Sequence, residues 1–244
     1  MAKETPGKVM VGYCFGQSTI TPQWARCYNK VLMRDAATKR RIIGELAHEA
    51  SGAHVPSARS SIVAEFLSHP AQPEWLWFVD TDATFGDDVL ERLLATADPK
   101  TRPIVGALAF GVRIVKDDKG REMFNSVGAA PMELFPTLYL YNEDGTSNTV
   151  FGYPRDQVVQ CHATGAHCLV IHRSVVADER WQDGHPLPFF RTSVWNGAEV
   201  SEDRFFCMKA GSLGFPIHVD TAIKTGHVKT FVADEDMYLS GVPS

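Results

Sequence analysis

The 244-residue chain lacks a long hydrophobic run. No stretch approaches the roughly 18–20 apolar residues needed to cross a bilayer, so no stable membrane insertion is expected. Its opening residues, Met1-Ala2-Lys3-Glu4-Thr5-Pro6-Gly7, have none of the apolar character of a secretory signal. It also lacks a strong charge bias: 24 Lys+Arg oppose 29 Asp+Glu, a formal net charge of −5. That excludes the basic footprint of a dedicated nucleic-acid scaffold and leaves room for an enzyme that touches nucleic acid briefly. Cysteine is scarce and odd in number. Cys14, Cys27, Cys161, Cys168 and Cys207 sit mostly among apolar neighbours without CxxC spacing. They suit free thiols in a reducing compartment better than a disulfide framework, and a cytoplasmic location is the expectation. No internal repeat, low-complexity tract or Gly/Ser linker divides the chain, so one domain is expected over 1–244, with its core at about 8–230 and a tail at 231–244.

With 44% hydrophobic residues, a chain of this length can bury a sizeable core. Residues 8–15 read as an opening strand. Residues 39–50 place Ile42, Ile43, Leu46, Ala47 and Ala50 on one helical face, which predicts a helix there. The same pattern recurs at 57–67 with Ile62, Val63, Phe66 and Leu67. Residues 74–79, rich in β-prone aromatics, predict a strand that ends abruptly in Asp80-Thr81-Asp82. Asp87 and Asp88 then start a helix whose acidic first turn complements its dipole. Residues 104–110 form a second buried strand. Between 112 and 155 the text turns polar, with turn signals at 117–120 and 142–145, and reads as hairpins and loops. Two more strands, 158–161 and 168–172, flank the small-residue loop Ala163-Thr164-Gly165-Ala166. Ser201 is placed to cap a helix running to Ala210 and stopped by Gly211 and Gly214, with a last strand at 216–220. Strands alternating with helices give an α/β class with a mixed, mostly parallel sheet.

Chemistry concentrates at Asp80-Thr81-Asp82. Ligands of open α/β sheets bind beyond the carboxyl ends of the strands, and two carboxylates emerging there form a hard-oxygen site for Mg²⁺ or Mn²⁺ against phosphate. Far downstream, Glu202 and Asp203 open a helix, where a carboxylate can serve as general base or simply stabilise the helix start. His227, in a loop after a strand, is a candidate nitrogen ligand that Mn²⁺ would tolerate.

Taken in order, the blocks ARSSIVAEFL, WLWFVDTDATF, ATGAHCLVIHRSVV and SEDRFFCMKAGSLGFPIHVDTAIKTGH resemble a GT-A-fold glycosyltransferase of the small family 2-like kind common in bacterial and phage genomes. The resemblance runs from about Val9 to about His227. It implies a Rossmann-type sheet flanked by helices, transfer of a sugar from a nucleoside diphosphate donor of UDP or GDP type, and Mn²⁺ (or Mg²⁺) as cofactor. It implies that Asp80 and Asp82 form the DxD motif, with Asp82 on the metal and Asp80 facing the ribose or the metal. His227 then matches the late metal-ligand histidine, and Asp203 or Glu202 the base of inverting members. Arg59 falls near the nucleotide or its phosphates, with a surface helix position as the alternative. Gly165 and Ala166 fall beside the donor sugar. The hydroxyl acceptor stays open between protein, glycan and modified nucleic-acid base, and a phage-encoded chain would act in the host cytoplasm. Ser60 departs from the Asn that often follows the arginine, and residues 12–17 carry no base-recognition signature.

Two further features compete for attention. Cys161-His162 and His167-Cys168 invite a zinc site, but the strand–loop–strand pattern favours core packing. The aromatic, turn-rich run at 181–190 with Trp195-Asn196-Gly197 either stacks sugars or bases or is anchored by its own aromatics. Rival functions are nucleotidyl transfer, which would want a Gly-rich phosphate loop where only Gly12 and Gly16 stand, and metal-dependent binding of a nucleotide sugar or carbohydrate without turnover.

Overall fold

The computed structural model describes residues 7–16, 20–50, 54–114, 132–142, 147–195 and 197–229. The tail at 231–244, the turn signal at 117–120, Asn196 and most of the turn at 142–145 lie outside them. Seven strands build the central sheet: β1 (Val9–Phe15), β2 (Ile42–Glu49), β3 (Trp75–Val79), β4 (Ile104–Leu108), β5 (Val158–Cys161), β6 (Cys168–His172) and β7 (Ile217–Lys224). Their spatial order is β5-β7-β4-β6-β3-β1-β2. β1 pairs parallel with β2 and β3, and β4 parallel with β7. β6 runs antiparallel between β3 and β4, and β5 antiparallel on the β7 edge. The protein is a mixed α/β single domain with a mostly parallel sheet.

Among the described residues, five α-helices accompany the sheet: α1 (Pro22–Ala37), α2 (Val55–Ser68), α3 (Val89–Thr96), the one-turn α4 (Arg173–Val176) and α5 (Glu202–Ser212). Strand alternation divides the core between the two faces. Trp75, Trp77 and Val79 pack with Trp24, Tyr28 and Val31 of α1 and Leu90 and Leu93 of α3. Leu76 and Phe78 pack on the other face with Ile62 and Phe66 of α2 and Phe206 of α5. Every residue of β3 is buried, which requires both faces of that strand to be covered. Among the described residues no helix is long and apolar enough to cross a membrane.

Residues 42–49 correct the expected helix: they are the edge strand β2. Its apolar residues are shared between the faces, Ile42 with α1 and α3, Ile43 and Leu46 with α2. An edge strand with Gly44 at its centre needs only this modest alternating burial, which a 3.6-residue reading mistakes for one stripe. Helix α1 went unanticipated, although Thr21 accepts the Trp24 amide at 3.1 Å and Pro22 occupies the first turn, a standard start signal. Gly211 lies inside α5, and Gly214, at φ +92°, ends it.

Candidate functional site

The carboxyl ends of β1, β3 and β4 meet at one edge of the sheet. Because β3 is buried throughout, the first residues it releases are Asp80, Thr81 and Asp82. Thr81 fixes the turn: its hydroxyl donates to the Cys14 carbonyl at 3.1 Å, and its own carbonyl accepts the Thr21 amide at 3.0 Å. The DxD turn is thereby tied to the end of β1 and the cap of α1. Thr81 is buried while the flanking carboxylates keep partial exposure.

Two very short strands bring a distant histidine to this turn. Gly226–His227 pairs antiparallel with Ala83–Thr84, and the Val228 amide donates to the Asp82 carbonyl at 2.8 Å. His227 Nδ1 lies 3.0 Å from the Phe110 carbonyl, which can only accept, so that nitrogen carries the proton. Nε2 then faces Asp82 Oδ2 at 2.9 Å. His167 precedes β6, whose register sets Cys168 opposite Val79 and so brings His167 beside the turn. Its Nε2 donates to the Gly226 carbonyl at 3.1 Å, leaving Nδ1 aimed at Asp80 Oδ2 (3.4 Å) and Asp82 Oδ1 (4.0 Å). Among the described residues, Asp82, His167 and His227 form a group whose ligand atoms all lie within 4.8 Å of one another.

Both histidines thus give one nitrogen to a backbone carbonyl and turn the other toward carboxylate, the arrangement that orients imidazole for a metal. Burial opposes the imidazolium of His167, but Asp80 outweighs it and raises the pKa. Burial likewise opposes ionisation of Asp82, yet His227 and then Lys229 hold its carboxyl below the usual range. Lys229 Nζ lies 3.1 Å from Asp82 Oδ2.

A second cluster adjoins the first. Arg59, on α2, is 5% exposed, which excludes the surface position. Its guanidinium donates to Asp80 at 2.8 Å, to Glu202 at 3.0 Å and to Asp203. Burial disfavours the Asp80 carboxylate, but Arg59 and His167 together hold its pKa well below normal. Asp203 goes the other way: burial first, then Glu202 and Asp80, push it up to about 6 against the pull of Arg59 and the Ala166 amide. Gly165 lies alongside, where an added Cβ would stand 3.7 Å from Asp203 Oδ2. Cys14, pushed up to about 11 chiefly by burial, stays a thiol at neutral pH.

The structure therefore brings Asp80, Asp82, Arg59, Glu202, Asp203, Gly165, Ala166 and His227 into one neighbourhood, with Asp80 turned toward Arg59 and His167. Core packing describes Cys161 and Cys168, both buried. It does not describe His162, which is exposed, or His167, whose Nδ1 faces Asp80 and Asp82; Lys229 is the residue that sequence reasoning missed. The aromatic run is anchored inward: Trp181 and Phe190 each stack on Phe206 of α5, at 5.2 and 4.7 Å between ring centroids. Ser60 latches it, its hydroxyl donating to the Phe190 carbonyl and accepting the Phe190 amide, both at 3.1 Å.

No family model matches the sequence, and no curated protein does. The fold is similar to solved structures. A197 from STIV superposes with a TM-score of 0.53 at 12% identity, covering 91% of this chain and 86% of that one. GalNAc-T7, crystallised with UDP, GalNAc and Mn²⁺, superposes with a TM-score of 0.51 at 12% identity over 94% of this chain. The match spans 45% of the GalNAc-T7 chain. At such identities the likeness is one of fold, the GT-A type.

Proposed function

We propose that the protein is a metal-dependent glycosyltransferase that moves a sugar from a nucleoside diphosphate donor, of UDP or GDP type, to a hydroxyl acceptor. The observation that carries this reading is the meeting of two devices at one strand end. One is the cation group Asp82, His167 and His227; the other is the acidic pair Glu202 and Asp203, joined to it through Arg59 and Asp80. The GT-A likeness to a protein holding UDP and Mn²⁺ supports the same class.

Two imidazoles and one carboxylate fit Mn²⁺ better than Mg²⁺, which prefers oxygen and keeps its waters. When bound, such a cation neutralises charge on the departing diphosphate. Lys229, sharing the Asp82 carboxylate, adds positive charge on the same side. Asp203 takes the acceptor proton onto a carboxylate oxygen. The acceptor oxygen then bonds to the anomeric carbon as its bond to the diphosphate breaks and that electron pair leaves with the diphosphate. A carboxyl raised to about 6 is a stronger base than an ordinary aspartate and is still ionised at neutral pH. Arg59 holds that base in place.

A thermal-shift panel of UDP, GDP, CMP and their sugars, each with Mn²⁺, Mg²⁺ or EDTA, tests the reading. One nucleoside diphosphate at 100 times its Kd adds about 2.7 kcal/mol of stability, and only with metal. A flat panel at saturating ligand, or a shift that EDTA leaves unchanged, contradicts it.

A further inference from the structure

Behind the candidate base lies a cavity of about 610 Å³ that the chemistry above does not use. Its size falls in the range of ligand pockets, roughly 300–1,000 Å³. It runs along α5 and is bounded by the starts of β7 and the adjoining loop, with Tyr141, His162 and Trp195 among its walls. At a helical rise of about 1.5 Å per residue, Cys207 and Gly211, both lining it, stand about 6 and 12 Å from Asp203 along the α5 axis. The cavity therefore begins about one helical turn from the base and extends away from it.

Its chemistry is specific. The rings of Tyr141 and His162 stack at 5.9 Å and 22°, making a flat platform. Trp195, on a hairpin strand (Ser193–Trp195) shortly before α5, is 50% exposed, a large apolar ring left facing solvent. Gln160 and His162 offer exposed polar edges. Among the described residues lining the cavity there is no Asp, Glu, Lys or Arg; Arg204 stands beside it, its Nε donating to the Tyr141 hydroxyl at 3.2 Å.

We propose that this cavity is the subsite for an uncharged acceptor glycan, whose terminal hydroxyl reaches Asp203; the acceptor role rests on the glycosyl-transfer reading. A sugar ring has an apolar C–H face that lies on an aromatic ring and a rim of hydroxyls that amide and imidazole edges can meet. A nucleic acid or other polyanion would need several cations here to pair its phosphates, and the nearby Arg204 is engaged with the Tyr141 hydroxyl and the rings of Tyr139 and Tyr141. A purely apolar chain would leave the polar edges without partners.

The test uses the full chain in EDTA without donor. Tryptophan fluorescence and saturation-transfer NMR follow cello-, malto-, laminari- and chito-oligosaccharides, with heparin oligosaccharides and oligo-dT as polyanion probes. Two variants accompany the wild type: Trp195→Ala, and Gly211→Leu to fill the floor. At Gly211 an added Cβ would meet Ile217 Cδ1 at 3.7 Å, an ordinary contact, and the metal-dependent nucleotide shift checks that the leucine variant is folded. The expected result is binding by at least one neutral series, weakened about tenfold or more in each variant. The metal-dependent nucleotide shift should be unchanged in both. No Trp195-dependent binding by any neutral series overturns the proposal, as does binding by the polyanions alone. Conversion of a dimer to a monomer by Trp195→Ala also overturns it, since the cavity would then join two copies. Neutral glycan binding beside a flat nucleotide panel keeps the glycan site and removes the transfer reading.

Discussion

Replacing Arg59 by methionine should upset the site's charge balance before it touches any substrate. The guanidinium is buried against three carboxylates, Asp80, Glu202 and Asp203. Removing one partner of a buried ion cluster leaves charge uncompensated and costs about 3–5 kcal/mol. For a domain of this size that lowers the melting temperature by about 6–20 °C, at about 2–4 °C per kcal/mol. The loss depends on pH in a defined direction. Asp80 has a folded pKa below its unfolded value, so its pairing with Arg59 stabilises above the unfolded pKa of about 4 and is lost only as pH falls through the depressed folded value. Asp203 has a folded value of about 6, above the unfolded one, so the native state binds its proton more tightly and wild-type stability declines as pH rises from about 4 to 6. Without Arg59 both carboxyls should hold protons to higher pH. The gap between wild type and Arg59→Met should be widest above about pH 7 and narrow toward about pH 5. Urea and thermal melts across that range, in EDTA, measure it, and Arg59→Lys should fall between the two because it restores charge but not the fork. A gap that stays constant with pH, or stays under about 1 kcal/mol throughout, refutes the cluster as drawn.

Asp203→Asn should keep donor binding and lower transfer by about 10²–10⁴. Wild-type kcat/KM should rise with pH through about 6 and then level, following deprotonation of the base. A surviving rate in Asp203→Asn with loss in Glu202→Gln would move the base by one residue. His167→Ala should weaken Mn²⁺ at least tenfold, by direct titration, and narrow the preference for Mn²⁺ over Mg²⁺. Unchanged Mn²⁺ affinity there would return His167 to a packing role.

How much of this could be read in advance varied with the physics of each element. The buried β3 strand and its Asp80-Thr81-Asp82 ending were legible because an uninterrupted apolar run needs cover on both faces, and acids at its end must emerge where that cover stops. Helices α2, α3 and α5 were legible from apolar spacing and start residues. Asp88 and Ser201, each at an N-cap, nonetheless make no side-chain capping bond, and Asp87 and Asp88 lie ahead of the first turn of α3. β2 was misread because its few apolar residues fit either period, and only the sheet edge decides between them. His167 stood out beside Cys168, but the pattern assigned it to core packing. Its place beside Asp80 depends on antiparallel pairing of β6 with β3, far apart in the chain, and local pattern carries no such information. Likewise, the chain could not announce that the aromatic run turns inward, because its anchors are Ser60 on α2 and Phe206 on α5.

The most direct measurement is a Mn²⁺ titration followed by EPR, with and without UDP or GDP, on wild type and Asp82→Asn. One Mn²⁺ per chain, bound more tightly with one nucleoside diphosphate and lost in Asp82→Asn, is the expected result. Absence of stoichiometric binding, or nucleotide-enhanced binding that survives Asp82→Asn, would contradict the assignment of Asp82, His167 and His227 as the centre of the site.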